Sequence, residues 1–233
     1  IHLREMVTPF VITILPFVLI ARQPDLGTAM MLALIAASIT MYVKIERRTF
    51  IGMIAGGTLT VPVVWFFLKG YQKQRILTFL NPDRDPLGAG YHIIQSKIAI
   101  GSGQLTGKGF LKGTQNALDF LPEQHTDFIF SVLAEEWGLA GSLLVVLLFF
   151  LMIVWGLQIA QRSRDPFGTI LAVGVTTMLA WQVCINIGMV MGLMPVVGVT
   201  LPFVSYGGSS IITMMAGAGL LLNVSMRRFM FEK

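Results

Sequence analysis

The sequence predicts an all-α integral membrane protein: a polytopic helical bundle of about six transmembrane helices with a large extracytoplasmic loop. Three observations carry that class. Of its 233 residues, 55% are hydrophobic and 12% charged, and the mean hydropathy is +0.74, a balance foreign to soluble domains. Several apolar stretches reach roughly the 20 residues a helix needs to cross a ~30 Å hydrocarbon core. The basic residues gather in short loops between those stretches, where they fix orientation.

The first two spans are placed at 7–22 and 25–43. They are joined by "ARQPDLGTA" (21–29), in which Pro24 and Asp25 are helix-terminus chemistry around a tight turn. A third span covers 50–68, and three more cover 132–160, 168–190 and 205–225. Lys44, Arg47 and Arg48 follow the second span, Arg162 and Arg164 the fourth, and Arg227, Arg228 and Lys233 the sixth. The turn at 191–204 carries no charge. Because positive loops stay in the cytoplasm, both termini are expected inside and segment 69–131 outside.

That outer loop is too long to be structureless without a function. "YQKQRILTFL" (71–80) and "YHIIQSKIAI" (91–100) have the apolar spacing of short helices at a membrane interface. The turn formers of "NPDRDPLGAG" separate them, and the glycine-rich "GSGQLTGKGFLKG" follows.

Other classes are set aside on composition. The net charge of +5 is confined to loops without the aromatic-interleaved stripe of a nucleic-acid binder. Cys184, the single cysteine, gives no disulfide or thiolate cluster and reads as a small buried hydrophobe. "IHLREMVTPF" lacks a signal-peptide pattern and reads as the interior of a longer chain.

Chemistry concentrates in "PEQHTDFIF" (122–130), where Glu123, His125 and Asp127 stand before a long apolar run. Thr126 or Asp127 could cap the helix that starts there. Glu135 and Glu136 follow within three turns, and ionisable groups at a membrane entry are functional candidates. Asp127, Ser131 and Glu135, spaced i, i+4 and i+8, fall on one helical stripe able to face a common cavity. His125 and Asp127 are too few for a zinc site, whereas a magnesium ion held by one carboxylate and a substrate phosphate stays open.

Two further stretches look toward anions. "GSGQLTGKGF" (101–110) fails as a nucleotide-binding loop because Gly109 follows Lys108 where Ser or Thr is required. A flexible loop whose amides or Lys108 hold a substrate anion remains. In "PVVGVTLPFVSYGGSS" (195–210), Ser205, Gly207, Gly208 and Ser209 open a helix whose free amides would face an anion; a small-residue helix contact is the structural alternative.

Four stretches in order, "QPDLGTA", "DPLGAGYHIIQSKIAIGSG", "FLPEQHTDFIFSVLAEEWG" and "PVVGVTLPFVSYGGSS", resemble the SEDS (shape, elongation, division and sporulation) family, most closely its rod-shape branch. The resemblance covers essentially the whole chain. It implies a peptidoglycan glycosyltransferase that polymerises lipid II on the outer face of the bacterial cytoplasmic (inner) membrane. It implies Asp127 as the essential acidic residue, general base or ligand to a divalent cation (Mg or Mn), with Glu123, His125, Lys108 and Ser205 to Ser209 in support. It also implies a class B penicillin-binding protein as transpeptidase partner. The family has about ten helices, so four N-terminal ones are expected beyond this chain. A lipid II transporter and a recruiting scaffold are the rival classes, and polar span residues such as Asn186 would suit transport.

Overall fold

The computed structural model describes residues 7–23, 25–43, 51–52, 66, 69–82, 85, 88–117 and 125–230. Every regular element among them is helical. Two apolar helices, α1 (Val7–Arg22) and α2 (Leu26–Tyr42), come first. The loop region holds α3 (Gly70–Leu80), α4 (Ala89–Ser102) and the single turn α5 (Thr114–Ala117). The long helices α6 (Ile129–Arg162), α7 (Pro166–Val190) and α8 (Gly208–Met230) complete the chain.

Hydropathy locates these elements well. The expected spans at 132–160, 168–190 and 205–225 correspond to α6, α7 and α8, each long and apolar enough to cross a membrane. The first two expected spans form shorter apolar helices, and Asp25 caps α2, its Oδ1 accepting from the Thr28 amide at 3.0 Å. Of the third, at 50–68, all but residues 51, 52 and 66 lie outside the described residues, as do Pro24 and Glu123. Both short loop helices form, and α4 is no peripheral element: it packs on α6 and α7 with Ile93, Ser96 and Ala99 buried.

Neighbouring helices approach through small residues, as expected where lipid tails are as apolar as leucine. A Cβ on Gly156 of α6 would lie 2.3 Å from Thr176 Oγ1 of α7, so the two backbones meet there. At one end of the bundle Phe128, Phe130, Phe149, Val183, Met189, Val190 and Leu201 form a buried cluster. At the other, Ile159, Ala160, Ala172, Val173 and Val224 form a second. The first cluster is the floor on which segment 125–131 rests.

The helix α6 is not one rod. Gly138 interrupts it at φ 65° and ψ −162°, a conformation open to glycine alone at little cost. The piece after the break, 139–162, still has ~36 Å of length at about 1.5 Å per residue, enough to cross a bilayer. Glu135 and Glu136 therefore lie on the short piece before the break, a correction to the continuous span expected from residue 132. Cys184 also departs from expectation, since it faces outward from α7 instead of into the core.

Candidate functional site

The end of the bundle formed by the start of α6, the end of α7 and the loop into α8 brings three stretches together. The first is His125 to Phe128. Phe128, not Thr126 or Asp127, is the N-cap residue of α6, and its side chain makes no capping bond. The backbone of 125–127 is fixed from outside. The carbonyl of His125 accepts from the Tyr206 amide at 2.8 Å. That of Thr126 accepts from Ser205 Oγ at 2.6 Å, and that of Asp127 from Asn186 Nδ2 at 2.9 Å. Three consecutive carbonyls are held by three donors from two other elements.

The second stretch is the turn at 201–206. Ser205, 2% exposed, accepts from the Leu201 amide at 2.7 Å through the same hydroxyl that donates to Thr126. Its one hydroxyl proton is committed to the fold, which places it behind the site as a strut. Phe203 holds a left-handed φ of 61° in this turn, strain of the kind that persists where surroundings over-determine a conformation. Beyond the turn Tyr206 is 79% exposed. Gly208 and Ser209 are exposed at the start of α8 and Gly207 is half-buried, as an anion site at a helix N-terminus would need.

The third stretch is the end of α7 with the loop at 191–199. Asn186, fully buried, donates to Asp127 and also to the Val199 carbonyl at 2.7 Å. Gly198, at φ 71°, lies against the Asp127 carboxylate: a Cβ there would sit 3.4 Å from Oδ2. Asp127 is part-buried and His125 exposed. A groove of about 400 Å³ opens alongside, lined by His125, Ile129, Phe203, Val204, Ser205, Tyr206 and Ile211.

The expected stripe of Asp127, Ser131 and Glu135 does not face one cavity. Asp127 precedes the helix, and Ser131 is buried with its hydroxyl donating to Phe128 O at 2.6 Å. Glu135, 1% exposed, pairs with Lys108 Nζ at 2.7 Å. Its Oε1 also accepts from the amides of Thr114 and Gln115 at 2.9 and 3.2 Å.

Lys108 therefore belongs to a different assembly from Asp127. Its loop is docked, not flexible. The Lys108 and Gly109 amides donate to the carbonyls of Glu135 and Glu136 at 3.0 Å each, and the Leu139 and Ala140 amides donate to Gln104 and Leu105 at 2.8 and 3.1 Å. These are the helical groups that the break at Gly138 leaves open, and the loop closes them on both sides. Irregular backbone inside a membrane protein persists only where protein or water satisfies it. A Cβ on Gly107 would lie 2.1 Å from Glu136 O, which is why this loop is glycine-rich. The amides expected to hold an anion hold a helix instead.

Two comparisons decide what kind of protein this is. A family model described as a cell cycle protein, FtsW/RodA/SpoVE, matches residues 1–229. The chain belongs to the FtsW/RodA/SpoVE family. It is 50% identical over 224 residues to the peptidoglycan glycosyltransferase MrdB of Escherichia coli K12, covering 96% of this chain and 60% of that protein. It is 44% identical over 218 residues to the stage V sporulation protein E of Bacillus subtilis, covering 90% of this chain and 57% of that one. Among solved structures, a chain from a peptidoglycan synthase complex matches at TM-score 0.80 and 32% identity, over 100% of this chain and 64% of that chain. The Thermus thermophilus rod shape determining protein RodA matches at TM-score 0.64 and 27% identity, over 98% and 58%. The chain thus spans about 60% of the length of the curated relatives it matches. This FtsW/RodA/SpoVE chain is a multi-pass helical membrane protein, as the four sequence stretches implied.

Proposed function

We propose that this chain carries the polymerase site of a peptidoglycan glycosyltransferase of cell elongation, with Asp127 at its centre. The observation that supports this reading most is the three-point hold on carbonyls 125–127. It fixes the peptide of Asp127 between His125 and Ile129, two residues that line an open groove, and a fixed backbone is the preorganisation that a catalytic group requires. The relatives bring the chemistry: MrdB, 50% identical, is a peptidoglycan glycosyltransferase.

The substrate is lipid II, a disaccharide-peptide on undecaprenyl pyrophosphate. The 4-hydroxyl of the GlcNAc unit of one lipid II attacks C1 of the MurNAc unit of another. The C1–O bond to pyrophosphate breaks, a β-1,4 bond forms with inversion, and Asp127 takes the hydroxyl proton. A carboxylate within hydrogen-bond reach of the hydroxyl is the arrangement that general-base catalysis requires. Glu123 and His125, on the same strand of chain, and the exposed start of α8 at Gly207 to Ser209 are the supporting candidates. Ser205 contributes by holding Thr126.

A divalent cation, Mg or Mn, would be an ion shared with substrate. Among the described residues no three His, Cys, Asp or Glu side chains gather; Asp127 would supply a carboxylate and phosphate oxygens would complete the shell. Such an ion would neutralise charge on the departing pyrophosphate.

The site lies on the extracytoplasmic face of the bacterial inner membrane, with 1–233 one membrane domain and 69–131 its outer loop. Arg162 and Ser163 line a cleft with Val224 and Ser225, so the basic ends of α6 and α8 share the end opposite Asp127, and positive ends stay inside. Transport is less well supported, because Asn186 lies one turn from the end of α7 and not at mid-membrane. A class B penicillin-binding protein is the proposed partner, in keeping with the peptidoglycan synthase complex that matches in fold.

Lipid II polymerisation by the full-length protein with its partner tests the reading. Asp127→Ala is expected to lose about 10²–10⁴-fold in kcat. Near-normal strand synthesis by that variant would remove Asp127 from the mechanism. Restoration by Asp127→Glu with a cation requirement would favour the ligand role.

A further inference from the structure

Of the three holds on carbonyls 125–127, the one on the Asp127 peptide itself comes from the buried amide of Asn186. Both of its N–H bonds are used across long sequence separations, one on Asp127 O at 2.9 Å and one on Val199 O at 2.7 Å. It sits at 0% exposure on α7, beside Ile185, which belongs to the cluster that joins α2 to Val197 and Val199. Its Oδ1 is buried with no hydrogen-bond partner among the described residues, so the two donor bonds alone offset the desolvation of the amide.

The geometry defines what those bonds fix. Val199 and Asp127 flank the approach of Gly198 to the carboxylate, where a Cβ would lie 3.4 Å from Oδ2. One side chain therefore sets the spacing between the peptide that carries the carboxylate and the loop that walls it. The other two carbonyl holds act on His125 and Thr126, so among the described residues Asn186 is the side chain that donates to Asp127's own peptide. We propose that Asn186 is a positioning residue for the Asp127 carboxylate, fixing it against the 197–199 loop in its reactive orientation.

This rests on the reading of Asp127 as the reacting group, and the test separates the two. Full-length protein in nanodiscs with its partner is assayed as wild type, Asp127→Ala, Asn186→Leu and Asn186→Asp, with kcat, KM and the pH profile of kcat for lipid II. Hydrogen exchange is followed over 125–131 and 196–206. Asn186→Leu keeps approximate shape and removes both donors; buried Asp, neutral at that site, keeps one O–H.

A carboxylate displaced by about 1 Å loses on the order of 10²-fold in rate. The expected result is that loss in kcat for Asn186→Leu with KM unchanged, a smaller loss for Asn186→Asp, a displaced acid limb in the pH profile, and faster exchange confined to the two segments. A lower folded fraction would scale the profile without moving its limb. An unmoved limb with unchanged exchange overturns the proposal even if Asp127→Ala is inactive. If wild type and Asp127→Ala polymerise alike, the catalytic reading falls, and the proposal falls with it whatever exchange shows.

Discussion

Asp127 and Glu135 are eight residues apart, both carboxylates, both at the start of one helix, and the fold treats them in opposite ways. At Asp127 donors take the backbone: Tyr206, Ser205 and Asn186 bind the carbonyls of 125–127, and the part-buried carboxylate lies against Gly198. At Glu135 the donors take the side chain: Lys108, Thr114 and Gln115 all converge on Oε1, and the residue is sealed at 1% exposure. At Asp127 the contacts fix the peptide that carries the carboxylate, whereas at Glu135 they tie the loop at 108–115 to the helix through Oε1, while Oε2 is buried with no hydrogen-bond partner among the described residues.

The contrast is broken or sharpened first by removing each carboxylate in turn. Asp127→Ala should lose about 10²–10⁴-fold in kcat with little change in unfolding midpoint. Glu135→Ala should do the reverse. Lys108 is 28% exposed and can be solvated once Glu135 is gone, so the cost is that of the lost charge-assisted bonds to the loop, about 1–3 kcal/mol, while kcat per folded molecule stays close to wild type. Thermal unfolding in detergent together with a polymerisation assay measures both. Equal activity losses in the two variants would mean that the stripe expected from sequence has functional unity after all.

Next in size is the break that lets Glu135 be an anchor. Gly138→Ala puts a Cβ 2.3 Å from the Gly107 amide nitrogen at a φ of 65°. Left-handed strain alone costs about 1–3 kcal/mol, and the close contact adds to it. The unfolding midpoint should fall, and hydrogen exchange at Lys108, Gly109, Leu139 and Ala140, the stitched amides, should rise together. Exchange at Lys108 and Gly109 unchanged while stability falls would show that the loop docks without the break.

How much of this could be read beforehand follows from the range of the interactions. Hydropathy is local, so α6, α7 and α8 were legible, as were the short helices α3 and α4 and the cap at Asp25. Asp127 as the reacting group is a proposal, carried by its position before an apolar run and by family resemblance. The stripe failed because it assumed helix from Thr126 onward, whereas the helix begins at Ile129. Gly138 within "EEWGLAG" has no local mark distinguishing a break from a tolerated glycine. The docking of 103–113 onto that break is decided by hydrogen bonds spanning about thirty positions. In the sequence Asn186 is only a polar residue in a span; its partners are 59 and 13 residues away, a distance no spacing rule reaches.

The smallest expected effect concerns the floor beneath Asp127. His92 on α4 lies against Phe128, with ring centroids 6.3 Å apart, and edge-on to Tyr91 at 5.9 Å. Burial lowers its pKa below the ordinary value near 6.5, and Asp85 opposes part of that shift. A histidine with a depressed folded pKa stays neutral in the fold while the unfolded chain takes up a proton. Its contribution to stability is therefore present above about pH 6.5 and lost as pH falls through that value toward the folded pKa. The unfolding midpoint should drop between pH 7.5 and 5.5 in wild type and drop less in His92→Phe, which keeps the ring contact and removes the titration. Because Phe128 is the N-cap residue next to Asp127, the acid-induced loosening should appear first as exchange at the start of α6, while the Glu135 anchor stays protected. Loosening that begins instead at the 103–113 loop would place the weaker of the two regions at the break, and would reverse the order of rigidity that separates these carboxylates.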